Sequence, residues 1–244
     1  DAGEIKGTAK IVDAAGGPRA TLDLTADSAI LPGSRVALRS GRITANGPLD
    51  QLPYQADLQG LSASERWNLT GGGTFSSGKA GYQLTFNGGG RYGRRDLKTV
   101  EPAVLRMGGG ERSARLRLAA SDGGLIDLDA RLGKDDTDID AQVRRLGLSL
   151  LNPDFTGRAD ATLNLSGKGG RLEGVLDAKL DDARSRGSPR ELGLDGAFTA
   201  RLADDDVAID ASVTNEQGLR ANAKLTLPAE ASASPFRIAI VRNR

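Results

Sequence analysis

Ala159-Asp160-Ala161-Thr162-Leu163-Asn164-Leu165-Ser166-Gly167 and, after a short polar turn, Leu172-Glu173-Gly174-Val175-Leu176-Asp177-Ala178-Lys179-Leu180 decide the fold. Small and aliphatic residues fall on one phase of a two-residue period, and polar or charged residues fill almost all of the other. Successive side chains of a strand point to opposite faces, so this alternation makes a half-buried strand and gives a sheet one greasy face. The same pattern runs outward in both directions. It covers nearly the whole chain.

Composition narrows what such a sheet can do. The 244 residues carry a net charge of +1, which exerts no global pull on nucleic acid or anionic membrane. Hydrophobic residues make up 38% and aromatics 4%, while glycine reaches 33 residues. The buried material must therefore be Leu, Ala, Val and Ile, and the aromatic girdles of a closed membrane barrel are missing. Cysteine and histidine are both absent. That removes disulfides, thiolate chemistry, imidazole metal ligands and every triad built on histidine. No apolar run reaches the roughly 18 residues of a membrane-spanning helix. Beginning at Asp1 without Met or signal peptide, the chain reads as a segment of a longer or processed protein.

About seventeen alternating segments are expected, joined by connections of two to six residues that suit antiparallel hairpins. The first are Ile5 to Ile11, Ala20 to Ala26 and Val36 to Ala45, with a bulge near Gly41 where the phase of Val36 and Leu38 shifts. Tyr54 to Gly60, Trp67 to Phe75 and Tyr82 to Phe86 follow. Gly71-Gly72-Gly73 and Gly88-Gly89-Gly90 read as turns that end strands. The second half holds Ala114 to Ala120, Ile126 to Leu132, Ile139 to Val143, Ala159 to Leu165, Leu172 to Leu180, Leu192 to Leu202, Val207 to Val213 and Leu219 to Leu227. Helix is expected only as a short turn within Arg144 to Asn152, before Pro153. The fold class is all-β: a long, mainly antiparallel meander curled into an open U-shaped groove. Residues 1–244 form a single elongated segment, with a sub-unit boundary expected near 88–112.

One phrase carries a family resemblance. Leu148-Ser149-Leu150-Leu151-Asn152-Pro153-Asp154-Phe155-Thr156-Gly157, the strand Ala159 to Gly167 and then Leu172-Glu173-Gly174 resemble the TamB family and its AsmA-like relatives. Gly47-Pro48-Leu49-Asp50-Gln51-Leu52-Pro53-Tyr54-Gln55-Ala56-Asp57-Leu58 resembles the same phrase. The turn from Gly167 to Gly174 departs from it by lacking a proline. The resemblance implies a periplasmic β-groove lined by lipid, anchored through the parent protein in the inner membrane and meeting an Omp85-type (TamA-like) outer-membrane barrel. It implies phospholipid transport between the two membranes, in support of outer-membrane biogenesis and protein assembly or secretion.

The physics of the pattern agrees with a non-enzymatic conduit. Burial stabilises an acyl chain by roughly 0.8 kcal/mol per CH₂, so a continuous aliphatic trough can carry one without chemistry. The candidate lipid-binding residues are Leu116, Leu118, Ile126, Leu128, Ile139, Val143, Leu163, Leu165, Leu176, Leu180, Phe198, Leu202, Ile209, Val213, Leu225 and Leu227. The plain alternative is that they form an ordinary sandwich core; a second is an autotransporter- or adhesin-like β-solenoid. Trp67 is placed at a groove rim or in simple packing. No cofactor, metal or nucleic acid is expected: Asp135 to Asp140 lacks the spacing of a calcium loop, and the basic stretch Gly88 to Lys98 occurs once and reads as a polar loop.

Overall fold

The computed structural model describes residues 3–14, 17–30, 36–62, 65–79, 81–189 and 192–229. Alternation and turn chemistry convert them into sixteen strands of one sheet. In the first half these are β1 (Glu4–Val12), β2 (Arg19–Ile30), β3 (Val36–Pro48), β4 (Leu52–Ser62), β5 (Glu65–Gly78), β6 (Gly81–Tyr92), β7 (Arg95–Thr99) and β8 (Ala103–Gly108). In the second half they are β9 (Glu111–Ala120), β10 (Leu125–Leu132), β11 (Asp136–Gly147), β12 (Phe155–Lys168), β13 (Arg171–Ser185), β14 (Leu194–Ala203), β15 (Asp206–Thr214) and β16 (Arg220–Pro228).

Every pairing among the described strands is antiparallel, and neighbours in sequence are neighbours in the sheet. Short connections allow nothing else. The one departure is local: β7 and β8 are two arms of a strand broken at Val100–Pro102, and both lie between β6 and β9. The sheet passes through 88–112 without losing its hydrogen-bonded continuity. With strands about 4.8 Å apart, its fifteen positions span roughly 67 Å.

Register keeps the apolar phase on one side throughout. Leu116, Leu128, Ala141, Leu163, Leu176, Ala200, Ile209 and Leu225 stand opposite one another in sequence across β9 to β16. In the first half Ile5, Ala26, Gly41, Leu58, Leu69, Gly90, Leu97 and Ala120 form an equivalent row from β1 to β9. Where the sequence changes phase, a bulge restores it. The register shifts between Leu38 and Ser40, between Val143 and Leu146, between Thr156 and Arg158, and between Leu180 and Ala183. Three of these sit side by side on β11, β12 and β13, with Arg145 at φ 49°, Gly157 at φ 110° and Asp182 at φ 49°. Aligned bulges bend that rim of the sheet.

Two 3₁₀ turns close opposite rims. Leu49–Gln51 joins β3 to β4 on one, and Leu148–Leu150 joins β11 to β12 on the other. The second falls inside the helical stretch expected at 144–152; the first lies in the matching phrase, where no turn of helix was expected. Three further sequence expectations need correction. Gly71 to Gly73 and Gly88 to Gly90 do not end strands but lie within β5 and β6, where Gly71 pairs Gly88. The stretch Gly88 to Lys98 is a hairpin of β6 and β7 in place of a loop. Leu192 lies before its strand, which starts at Leu194.

Candidate functional site

The two faces of the sheet differ in chemistry. On the polar face, charges of opposite sign meet across strands: Arg42 and Asp23 at 2.7 Å, Arg91 and Asp96 at 2.6 Å, Arg115 and Asp129 at 2.8 Å, Arg117 and Asp127 at 2.7 Å, and Lys224 and Asp210 at 3.0 Å. Hydrogen bonds donated by Arg42 and Arg91 hold Asp23 and Asp96 below the usual carboxylate value, and carboxylate partners raise Arg115 and Arg117. All these groups are solvated, so each pair adds little stability. Their consequence is orientation: this face belongs to water.

The opposite face is aliphatic and uncovered. All sixteen candidate residues fall on it, in four adjacent rows. Leu118, Ile126, Val143 and Phe198 share the first; Leu116, Leu128, Leu163, Leu176, Ile209 and Leu225 the second; Ile139, Leu165, Leu202 and Leu227 the third; Leu180 and Val213 the fourth. None is buried. Fourteen are half-buried, while Leu180 is 38% and Leu225 49% exposed. A sandwich core would bury such side chains almost fully, because a second layer would pack on them.

Among the described residues only Ala20, Ala45, Leu52, Ala56, Ala120, Leu146, Leu148 and Ala159 are buried hydrophobics, and none is completely enclosed. They sit where the sheet covers itself. Ala20, Ala45 and Leu52 form a small core with Leu49, Tyr54 and Phe75 beneath the first 3₁₀ turn. Tyr54 crosses Gly73 there and donates its hydroxyl to Thr85 O at 2.7 Å, and burial raises its pKa. No protein-family model, curated protein or solved structure matches this chain.

Glycines on the apolar face act as sockets. A Cβ at Gly60 would lie 2.6 Å from Trp67 Cε2, and one at Gly71 or Gly88 would lie 2.7 Å from Phe86 Cζ. At Gly174 it would meet Leu165 Cδ1 at 2.9 Å. Neighbouring side chains of the same sheet therefore cover part of the space that small residues leave. Trp67 belongs both to packing and to a rim: it lies over Gly60 in the row of Leu38, Tyr92 and Arg95, and its buried Nε1 has no partner among the described residues.

The rim bent by the bulges carries features that the alternation does not show. A hollow of about 460 Å³ opens beneath the turn from Leu148 to Phe155, lined by Leu148, Leu151, Phe155, Leu180, Ala183, Leu192, Leu194 and Val213. Leu180 and Val213 were expected on the face. The others were not: Ala183 reaches the face through the bulge on β13, Leu148, Leu151 and Phe155 through the turn, and Leu192 and Leu194 from the entry to β14. The turn itself is fastened from β7: Arg95 pairs with Asp122 at 3.3 Å and donates to Ser149 Oγ at 3.3 Å. Asp122 Oδ1 also accepts the Gly124 N–H at 3.2 Å.

Proposed function

We propose that this chain is a segment of a bridge-like lipid carrier, moving phospholipid acyl chains along its apolar face. The observation that carries the reading is a register-continuous aliphatic face on which no candidate residue is buried. Exposed apolar patches beyond a few hundred Å² mark surfaces that have a partner. A face running roughly 67 Å is longer than one lipid, which suits passage better than storage in a pocket. Its chemistry requires no catalytic group: each CH₂ moved from water to such a face gains about 0.8 kcal/mol.

The resemblance of Leu148 to Gly174 to the TamB family supports a periplasmic setting, a parent protein anchored in the inner membrane and an Omp85-type outer-membrane partner. On that reading the segment serves outer-membrane biogenesis and protein assembly or secretion. All described pairings are antiparallel, so nothing in the architecture favours a parallel β-solenoid adhesin.

Photo-crosslinking amino acids placed at Leu165 and Leu176, with Asn164 as the polar-face control, test the proposal in cells. Capture of phospholipid at the two leucines and not at Asn164 is expected. Absence of lipid at all three positions, together with a lipid-free organic extract of the purified protein, overturns it.

A further inference from the structure

Beside the apolar hollow lies a second one of about 420 Å³, and the turn from Leu148 to Gly157 is the wall between them. Residues of that turn are divided between the two hollows, the large apolar ones falling on one side. Leu148, Leu151, Asn152 and Phe155 line the apolar side, while Ser149, Pro153, Thr156 and Gly157 line the other.

Three arginines converge on the polar side from separate parts of the chain. Arg94 comes from the β6–β7 turn, Arg95 from the first position of β7, and Arg186 from just beyond β13. Arg95 is committed to Asp122 and Ser149. The side chains of Arg94 and Arg186 make no ion pair or hydrogen bond within the described residues. Among the described residues Glu65 is the single acid lining the hollow, and its carboxylate lies against Gly93, where a Cβ would be 2.7 Å from Oε2. Among the described residues of the lining, positive charge therefore exceeds negative, in a concave site that Tyr92, Ser149 and Thr156 also line.

The opposite rim carries a larger hollow of about 970 Å³ whose described lining mixes five bases, Arg106, Arg112, Arg131, Lys168 and Arg171, with four acids, Glu111, Asp136, Asp138 and Glu173. At the bulged rim the described lining holds three arginines and one glutamate, beside an apolar hollow.

We propose that the Arg94–Arg186 hollow binds a phosphate ester, the head of a lipid whose acyl chain enters the adjoining apolar hollow; this rests on the lipid-carrier reading above. A guanidinium presents paired N–H donors in a planar fork that matches phosphate oxygens, and charge-assisted bonds of this kind are about twice as strong as neutral ones. The wall between the hollows then separates the two chemical halves of one amphiphile. The site would select phosphate-bearing lipid at the rim before its chain joins the trough.

Binding to the full chain of phosphatidylglycerol, of diacylglycerol with the same acyl chains, and of glycerol 3-phosphate tests this, using native protein and an R94Q/R186Q double variant. Both arginines are exposed, so the variant should keep the native circular dichroism spectrum. Phosphatidylglycerol is expected to bind the native protein about tenfold tighter than diacylglycerol, falling to the diacylglycerol level in the variant. Diacylglycerol binding should not change. A variant that keeps the preference overturns the headgroup site while leaving the lipid carrier intact. If neither lipid binds the native protein, the carrier reading fails, and arginine-dependent binding of glycerol 3-phosphate alone assigns the hollow to a free phosphate ester, overturning the lipid assignment.

Discussion

At Gly88 a Cβ would come within 2.7 Å of both Gly71 Cα and the Phe86 ring, because the two glycine triplets face each other in the middle of paired strands. Gly78 offers the opposite case, with nothing within 4 Å of such an atom. Gly88→Val should therefore destabilise the fold by about 1–3 kcal/mol, the usual range for forcing extra atoms into a filled space. Gly78→Ala should stay within about 0.5 kcal/mol. Urea midpoints of the two variants check the contrast, and equal midpoints would refute the socket role of Gly88. This is also where the sequence was least legible. A glycine run signals either a turn or a close approach of neighbouring groups, and local reading favours the turn. Only the cross-strand register brings Gly71 opposite Gly88 and so beside the Phe86 ring. By contrast, Leu163 and Leu176 were readable one by one, since their phase relative to neighbours fixes the face without any knowledge of pairing.

Among the elements, the strands were legible and the rim was not. Alternation locates the centres of β12 and β13 but not their full lengths, since β12 already starts at Phe155 and β13 runs on to Ser185, and short turns dictate their antiparallel pairing. The bulges at Val143/Leu146 and Leu180/Ala183 break that alternation, so Leu146 and Ala183 read as off-phase although they stand on the apolar face opposite Ala159 and Leu194. The phrase from Leu148 to Gly157 was visible as a motif, but its division into apolar and polar walls appears only once it is folded over the rim. Leu148 is its anchor, 8% exposed, and its carbonyl accepts the N–H groups of Leu151 and Asn152, each at 3.0 Å. Leu148→Ala should cost about 2 kcal/mol, at the low end for a buried leucine because the hollow beside it is already open. Hydrogen exchange at the Leu151 and Asn152 amides should accelerate more than exchange at Leu163 or Leu165. Uniform acceleration across β12 would show that the turn does not act as a separate strap.

At the scale of the molecule, one sheet of fifteen positions has no second layer to bury its aliphatic face among the described residues, and stability comes from strand pairing, the two rim turns and glycine sockets. A charge placed on that face therefore distinguishes a trough from a closed core. Leu163 and Leu176 face each other across β12 and β13, both half-buried. In a dry core, Leu163→Lys would leave an unpaired ammonium among apolar atoms at a cost of several kcal/mol and unfold the chain. On an open face the lysine stem lies along its neighbours while the head reaches water, so the fold survives. Leu163→Lys and Leu176→Lys should accordingly retain native circular dichroism and a urea midpoint near that of the unchanged protein. The ammonium then lies in the path of an acyl chain, and copurifying phospholipid should fall about tenfold, while Asn164→Lys on the polar face leaves it unaltered. Unfolding of both leucine variants would mean that the face is sealed in solution, and retention of full lipid content in folded variants would remove the trough from the path of the cargo.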